Sequence, residues 1–154
     1  MLDALVTNLD RHHENWGVLE SRAPGGQRML RLAPTFDHAS SFAFGLGDAE
    51  RAARLASNDH GYRVERFVER AKGAFYSSDV DRERLRPLDA FDRAGDLYPR
   101  ARGGWLSALA SVPLAEFLAT VDGMPGDRMT DTCKEFAKAM LGVSYERLLT
   151  RLTR

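Results

Sequence analysis

The feature that most constrains this fold is a helical periodicity that runs from about residue 49 to the end of the chain. Apolar residues recur there at spacings of three and four, for example at Val64, Phe67, Val68 and Ala71. Such spacing is typical of an amphipathic helix, whereas strands alternate with a period of two. Since strand-like runs occur only before this region, the sequence predicts an α+β fold that is mostly α.

The strand-like part is predicted to be one short hairpin. The runs Trp16–Glu20 and Arg28–Leu32 flank the turn sequence Ala23-Pro24-Gly25-Gly26. Proline and glycine in adjacent positions favour a tight reversal of the chain. We expect the second strand to end near Asp37 and residues 38–48, which are small and polar, to form a loop.

Five or six helices are predicted after the hairpin. Asp48 is placed to cap the first of them, because a short acidic side chain can accept the unpaired amides of a helix start. Pro87 should kink or divide a helical segment, and Pro113 should open one. Gly142 is expected to end the helix before it, as glycine often does at the position after a helix.

Length and composition are those of one globular domain. The chain has 154 residues, of which 44% are hydrophobic and 29% charged. Because 22 basic residues balance 22 acidic ones, we expect no direct binding to nucleic acid or to an anionic membrane. The single Cys133 excludes an internal disulfide and is expected to be buried. No apolar run is long enough to span a bilayer, so a cytoplasmic location is expected.

The segment "NLDRHHEN", residues 8–15, carries the clearest chemical pattern. Asp10 and Asn15 lie five residues apart, and Asp37 follows the predicted hairpin. Protein kinases use this order: a carboxylate for the acceptor hydroxyl, an amide for Mg²⁺, and a second carboxylate for Mg²⁺. Magnesium prefers oxygen ligands, which both later residues supply. The spacing therefore predicts a magnesium site at Asn15 and Asp37.

At these residues the chain resembles a known family. "TNLDRHHENWGVL", "LRLAPTFDHASSF" and the closing "MPGDRMTDTCKEFAKAMLGVSYERLLTRL" are similar to the C-terminal lobe of the HipA-like serine/threonine kinases, bacterial enzymes that are often toxins paired with an antitoxin. The resemblance implies a kinase-like C-lobe over residues 1–154 and a protein serine or threonine as substrate. It also implies that Asp10 is the catalytic base and that His12, the motif histidine, braces the loop.

We do not expect this sequence to contain the N-lobe, which is the part of such a kinase that covers the nucleotide. No glycine-rich phosphate loop or strand-borne lysine precedes Asp10, and "GLGD" at residues 45–48 comes after Asp37. The opening "MLDALVTN" reads as the end of a helix without its first turns, which predicts a chain that continued upstream. We therefore expect an absent N-lobe, with ATP and Mg²⁺ bound only when an N-lobe chain completes the site, and weak or no activity otherwise.

Two alternatives for the function remain open from the sequence. The lobe could be a non-catalytic interaction module that binds a substrate or an antitoxin-like partner. Because phosphoinositide kinases share a "DRHxxN" string, it could also be a fragment of such an enzyme. A transition-metal site at His12 and His13, together with Asp10, Asp37 or His38, is disfavoured by the ligand spacing. The arginines of the first helices are predicted to form a solvated face, with binding of an acidic partner as the less favoured alternative; they are Arg51, Arg54, Arg63, Arg66 and Arg70.

Overall fold

The computed structural model describes residues 1–153 and has one β-hairpin and seven helices in this range. The elements are, in chain order, α1 Leu2–Leu5, β1 Val18–Arg22, β2 Arg28–Leu32, α2 Asp48–Ala56, α3 Val64–Arg70, α4 Pro87–Leu97, α5 Pro99–Ala110, α6 Leu114–Asp122 and α7 Asp131–Leu149. The predicted α+β, mostly α class is confirmed, and six helices follow the hairpin.

Helix α7 is the centre of the helical body. One cluster of buried side chains joins it to α1, α4, α5 and α6, and a second cluster joins it to α3 and the loop before α2. Leu141 and Leu148 of α7 belong to the first cluster, while Phe136 and Met140 belong to the second. Since α7 buries side chains on both sides, its position fixes where the remaining helices pack.

The hairpin lies outside this core. Its strands are antiparallel, with Val18 opposite Leu32 and Arg22 opposite Arg28. Gly25 and Gly26 take positive φ values of 102° and 83° in the turn, which glycine tolerates best. The first strand begins two residues later than predicted, and the second ends at Leu32, well before Asp37.

Proline and glycine gave different results as boundary signals. Pro87 is the first residue of α4 and Pro113 is the N-cap of α6, so both mark helix starts. The prediction that Gly142 ends a helix was wrong, because α7 continues through it to Leu149. Tyr145 and Leu148 extend the buried stripe past the glycine, and this packing outweighs the weak local preference of one residue.

Three other local predictions differ from the structure. Asp48 is the first residue of α2 instead of its cap; Gly47 holds the cap position, and the Asp48 carboxylate pairs with Arg51. Arg51 is buried and donates to the carbonyls of Ala43 and Phe44. The expected solvated arginine face therefore does not begin at Arg51, because backbone carbonyls of the preceding loop bind its guanidinium. Cys133 is only partly buried.

Within residues 1–153, no single helix is long and apolar enough to cross a membrane. Helices α5 and α6 pass that test only when taken together, and a bend of 68° separates them.

Candidate functional site

The loop at residues 8–15 is fixed at its start by Asn8, a residue with no predicted role. Asn8 is buried, and its Nδ2 donates to Oδ1 of Asp3 at 2.8 Å. Its Oδ1 accepts the backbone N–H of Asp10 at 3.1 Å. Because both ends of the amide are bonded, the peptide that carries Asp10 is held against α1.

Asp10 presents its carboxylate to solvent, with 54% of the side chain exposed. Within residues 1–153, the basic side chain that lies within 4 Å of this carboxylate is His12, whose Nε2 is 3.8 Å from Oδ2 of Asp10. His12 also accepts the backbone N–H of Glu14 at Nδ1, at 3.2 Å. The contacts of His12 therefore lie within the loop, and the Asp10 carboxylate is open to an approaching hydroxyl group.

Asn15 is buried and turned back onto the loop. Its Nδ2 donates to the carbonyl of Asp10 at 2.7 Å, and its backbone N–H donates to the carbonyl of His12 at 3.1 Å. The amide orientation is set by this contact, because only the nitrogen end can donate to a carbonyl. The Asn15 Oδ1, the atom that could bind a cation, accepts no hydrogen bond from the described residues.

Arg11 joins this loop to the segment after the hairpin. Its side chain is only 5% exposed and forms a bidentate pair with Asp3, with Nε–Oδ2 and Nη2–Oδ1 distances of 3.1 and 3.0 Å. Its Nη1 donates to the carbonyl of Asn15 and, at 2.7 Å, to the carbonyl of Phe36. One nitrogen thus bonds both segments, so the backbone before Asp37 lies beside that of Asn15.

Asp37 lies between two residues that Arg11 holds. The Phe36 carbonyl binds Nη1, and Nδ1 of His38 lies 2.8 Å from Nη2. Nε2 of His38 in turn lies 3.1 Å from Oγ1 of Thr35. Asp37 itself is exposed, and within residues 1–153 its carboxylate has no hydrogen-bond partner. The structure therefore brings the backbone segments of Asp10, Asn15 and Asp37 together through a residue that the sequence analysis did not single out.

Left-handed backbone conformations surround this junction. The non-glycine residues with positive φ are Thr7 at 52°, Asp37 at 51°, Phe42 at 52° and Ala43 at 54°. Each of these conformations is sterically unfavourable for a residue with a Cβ. They persist because the loop is tied in from several sides, as by the bond from the Phe42 N–H to the Val6 carbonyl at 3.0 Å.

Asp10 and Asp37 are exposed at this site, whereas Asn15 is buried. Five cavities lie elsewhere, none of them lined by Asp10, Asn15 or Asp37. The nearest in sequence is a cavity of about 310 Å³ that includes Leu9, the residue before Asp10. In the part of the chain that the structure describes, no three His, Cys, Asp or Glu side chains form a group that could hold a metal ion.

Comparison with known proteins found no relative of this chain. No protein-family model, no curated protein and no solved structure matches this chain.

Proposed function

We propose that this chain is the C-terminal catalytic lobe of a HipA-like serine/threonine protein kinase, which transfers the terminal phosphoryl group of ATP to a protein hydroxyl. The observation that supports the proposal best is the junction at Arg11. One buried guanidinium holds the backbone before Asp37 against the backbone of Asn15. The reaction needs two metal-binding oxygens and one hydroxyl-orienting carboxylate near each other, and this junction favours that arrangement.

In the proposed reaction each residue has a separate task. The exposed Asp10 carboxylate orients the acceptor hydroxyl and accepts its proton. Asn15 is fixed by the bond from its Nδ2 to the Asp10 carbonyl, and its Oδ1 binds the metal ion. His12 keeps the loop closed through its bond from the Glu14 N–H. Because these groups are positioned before substrate binds, no reorganisation is needed during the transfer.

The donor set is suited to magnesium. Asn15 Oδ1 and a carboxylate oxygen of Asp37 would hold the ion, and water and ATP phosphates would complete the preferred oxygen shell. Bound there, Mg²⁺ would neutralise charge on the transferred phosphoryl group. An N-lobe, on the same polypeptide or on a second chain, would cover the ATP phosphates. An antitoxin would be a further partner.

The test is phosphoryl transfer from labelled ATP to a serine-containing protein, with Mg²⁺ and with a candidate N-lobe supplied. We expect Asp10→Asn to lower the transfer rate at least about a hundredfold, because it removes the general base. Asp37→Asn should lower apparent Mg²⁺ affinity and preserve the fold, since asparagine also tolerates a left-handed backbone.

Asp79→Asn is the matched control, because Asp79 is also an exposed aspartate. It lies outside the candidate site and should leave both the transfer rate and the Mg²⁺ affinity unchanged. Equal rates for the wild type, the Asp10 variant and this control would contradict the proposal.

A specific observation favours a second candidate, a non-catalytic interaction module. Val18, Leu19, Leu30 and Leu32 of the hairpin are all more than half exposed, although such side chains usually gain free energy from burial. In this case a partner would bind the wild type and Asp10→Asn equally and would lose affinity for a Leu30→Thr/Leu32→Thr variant. A kinase substrate has no reason to depend on those two leucines.

A further inference from the structure

A basic cavity lies directly beside the candidate catalytic loop. It has a volume of about 310 Å³ and is lined by Leu9 together with Arg54, Arg66 and Arg70 and the aromatic residues Tyr62 and Phe67. No acidic side chain lines this cavity. Because Leu9 is the residue before Asp10, the cavity adjoins the loop that carries the proposed catalytic base.

Two of these arginines also line a second, larger cavity. Arg66 and Arg70 also line a groove of about 840 Å³, which continues past Lys72 to Arg84 and Arg86. Four carboxylates line the groove as well, at Glu69, Asp81, Glu83 and Asp89. The cavity at Leu9 is therefore the more strongly basic of the two, because carboxylates line only the larger groove.

Pairing within the molecule decides which cations can bind a ligand. Arg54 is engaged by Glu50 at 2.8 Å and stacks on the Tyr62 ring at 4.4 Å. Arg66 shares Glu69 with Arg147, and the bonds from Arg66 and then Arg147 keep the pKa of Glu69 below its usual range. Two cations facing one carboxylate leave a net positive charge.

Arg70 and Arg84 are the cations with most capacity left. Arg70 is exposed and pairs with no carboxylate in residues 1–153. Arg84 contacts the Tyr76 hydroxyl at 3.3 Å and likewise has no carboxylate partner in the described chain. A guanidinium that has no carboxylate partner can bind an incoming carboxylate with two parallel hydrogen bonds.

We propose that the groove from Leu9 to Arg84 binds the acidic residues that flank the phosphoryl-accepting serine or threonine of a protein substrate. This inference rests on the proposed function and adds the substrate class. A carboxylate near the acceptor occupies the cavity at Arg66 and Arg70, and a second carboxylate farther along the peptide reaches Arg84. Lysine or arginine at these peptide positions is repelled.

The experiment measures binding of three serine peptides to the full chain by calorimetry at low salt, without ATP. The peptides share one sequence except that the flanking positions are aspartate and glutamate, their neutral amides, or lysine. We expect the acidic peptide to bind about tenfold more tightly than the neutral one, with an affinity that falls as salt is raised. Arg70→Glu should reduce this affinity about tenfold or more, and Arg70→Lys should retain most of it.

Arg84→Glu gives a second test at the far end of the groove, and Arg100→Glu is the control. Arg100 is an exposed arginine of α5 outside both cavities, so its reversal should not alter peptide affinity. Equal affinity for the three peptides, or equal losses for the Arg70 and Arg100 reversals, would overturn the inference.

The two proposals fail in different ways. If the acidic peptide binds through Arg70 but is not phosphorylated when ATP, Mg²⁺ and an N-lobe are supplied, the proposed reaction is wrong and the acidic-peptide groove stands. If Asp10-dependent phosphorylation occurs with no preference for acidic flanks, the groove assignment alone is wrong.

Discussion

Single residues decide whether the candidate site exists in a defined form, and Arg11 is the most important of them. It is a charged side chain that is almost fully buried, and it is paired with Asp3, with the Asn15 carbonyl of its own loop and with the Phe36 carbonyl after the hairpin. Burying a guanidinium is costly unless its donors are bonded. Removing Arg11 is costly because the partly buried Asp3 carboxylate then loses its charged partner.

Replacing Arg11 should therefore destabilise the protein strongly. We expect Arg11→Met to lower the free energy of unfolding by about 3 kcal/mol, measured by urea denaturation. Arg31→Met is the control, since Arg31 is exposed on β2 and should change stability by less than about 0.5 kcal/mol. Asp3→Asn combined with Arg11→Met should lose less than the sum of the two single losses, because the residues act as one pair. A loss below about 1 kcal/mol for Arg11→Met would contradict this role.

The sequence could predict the candidate site only where spacing carries information. Asp10, Asn15 and Asp37 were found from their order and separation along the chain. Arg11 was missed, because an arginine between two polar residues usually lies on the surface. Its burial depends on the return of Phe36 and His38 to the loop, which is a tertiary contact with no local signal.

At the scale of elements, the helix boundaries show which local signals can be trusted. Pro87 and Pro113 mark starts because proline has a fixed φ and lacks the N–H that helix interiors require. Glycine is ambiguous, since it can end a helix or continue it at a modest cost. At Gly142 the helix continues because residues on either side of the glycine are buried. The identity of the glycine alone does not reveal that packing.

Two glycines inside helices should respond to alanine in opposite ways. A Cβ at Gly142 would meet no atom within 4 Å, whereas a Cβ at Gly95 in α4 would lie 2.6 Å from Cδ of Arg102. Gly142→Ala should therefore stabilise the protein by about 0.5–1 kcal/mol, because alanine favours the helix and loses less backbone entropy on folding. Gly95→Ala should destabilise it by about 1 kcal/mol or more, since Arg102 must move away from Asp92 and Asp96.

Thermal and urea unfolding of both glycine variants measure this difference. The two substitutions are chemically identical and both lie within helices, so each serves as the control for the other. Equal shifts at the two positions would show that the helical environment of Gly142 differs from the one described.

At the scale of the whole molecule, the chain divides into a packed helical body and an uncovered hairpin. Every residue of β1 is exposed, and Met29 is the one partly covered residue of β2. A two-stranded hairpin without a packed face is marginally stable in water. The body is held by the clusters around α7, so the two parts should differ in local stability.

Amide hydrogen exchange should separate these two parts. We expect amides of β1 and β2 to exchange through local opening, and amides near Phe136 and Met140 in α7 to exchange only on global unfolding. Leu30→Thr/Leu32→Thr should change the free energy of unfolding of the body by less than about 0.5 kcal/mol, because neither leucine is buried. If a bound N-lobe or other partner covers the hairpin, exchange in β1 and β2 should slow at least about tenfold while α7 remains unchanged. Protection of the hairpin equal to that of α7 in the isolated chain would contradict this division, because it would require packing that the exposed strands lack.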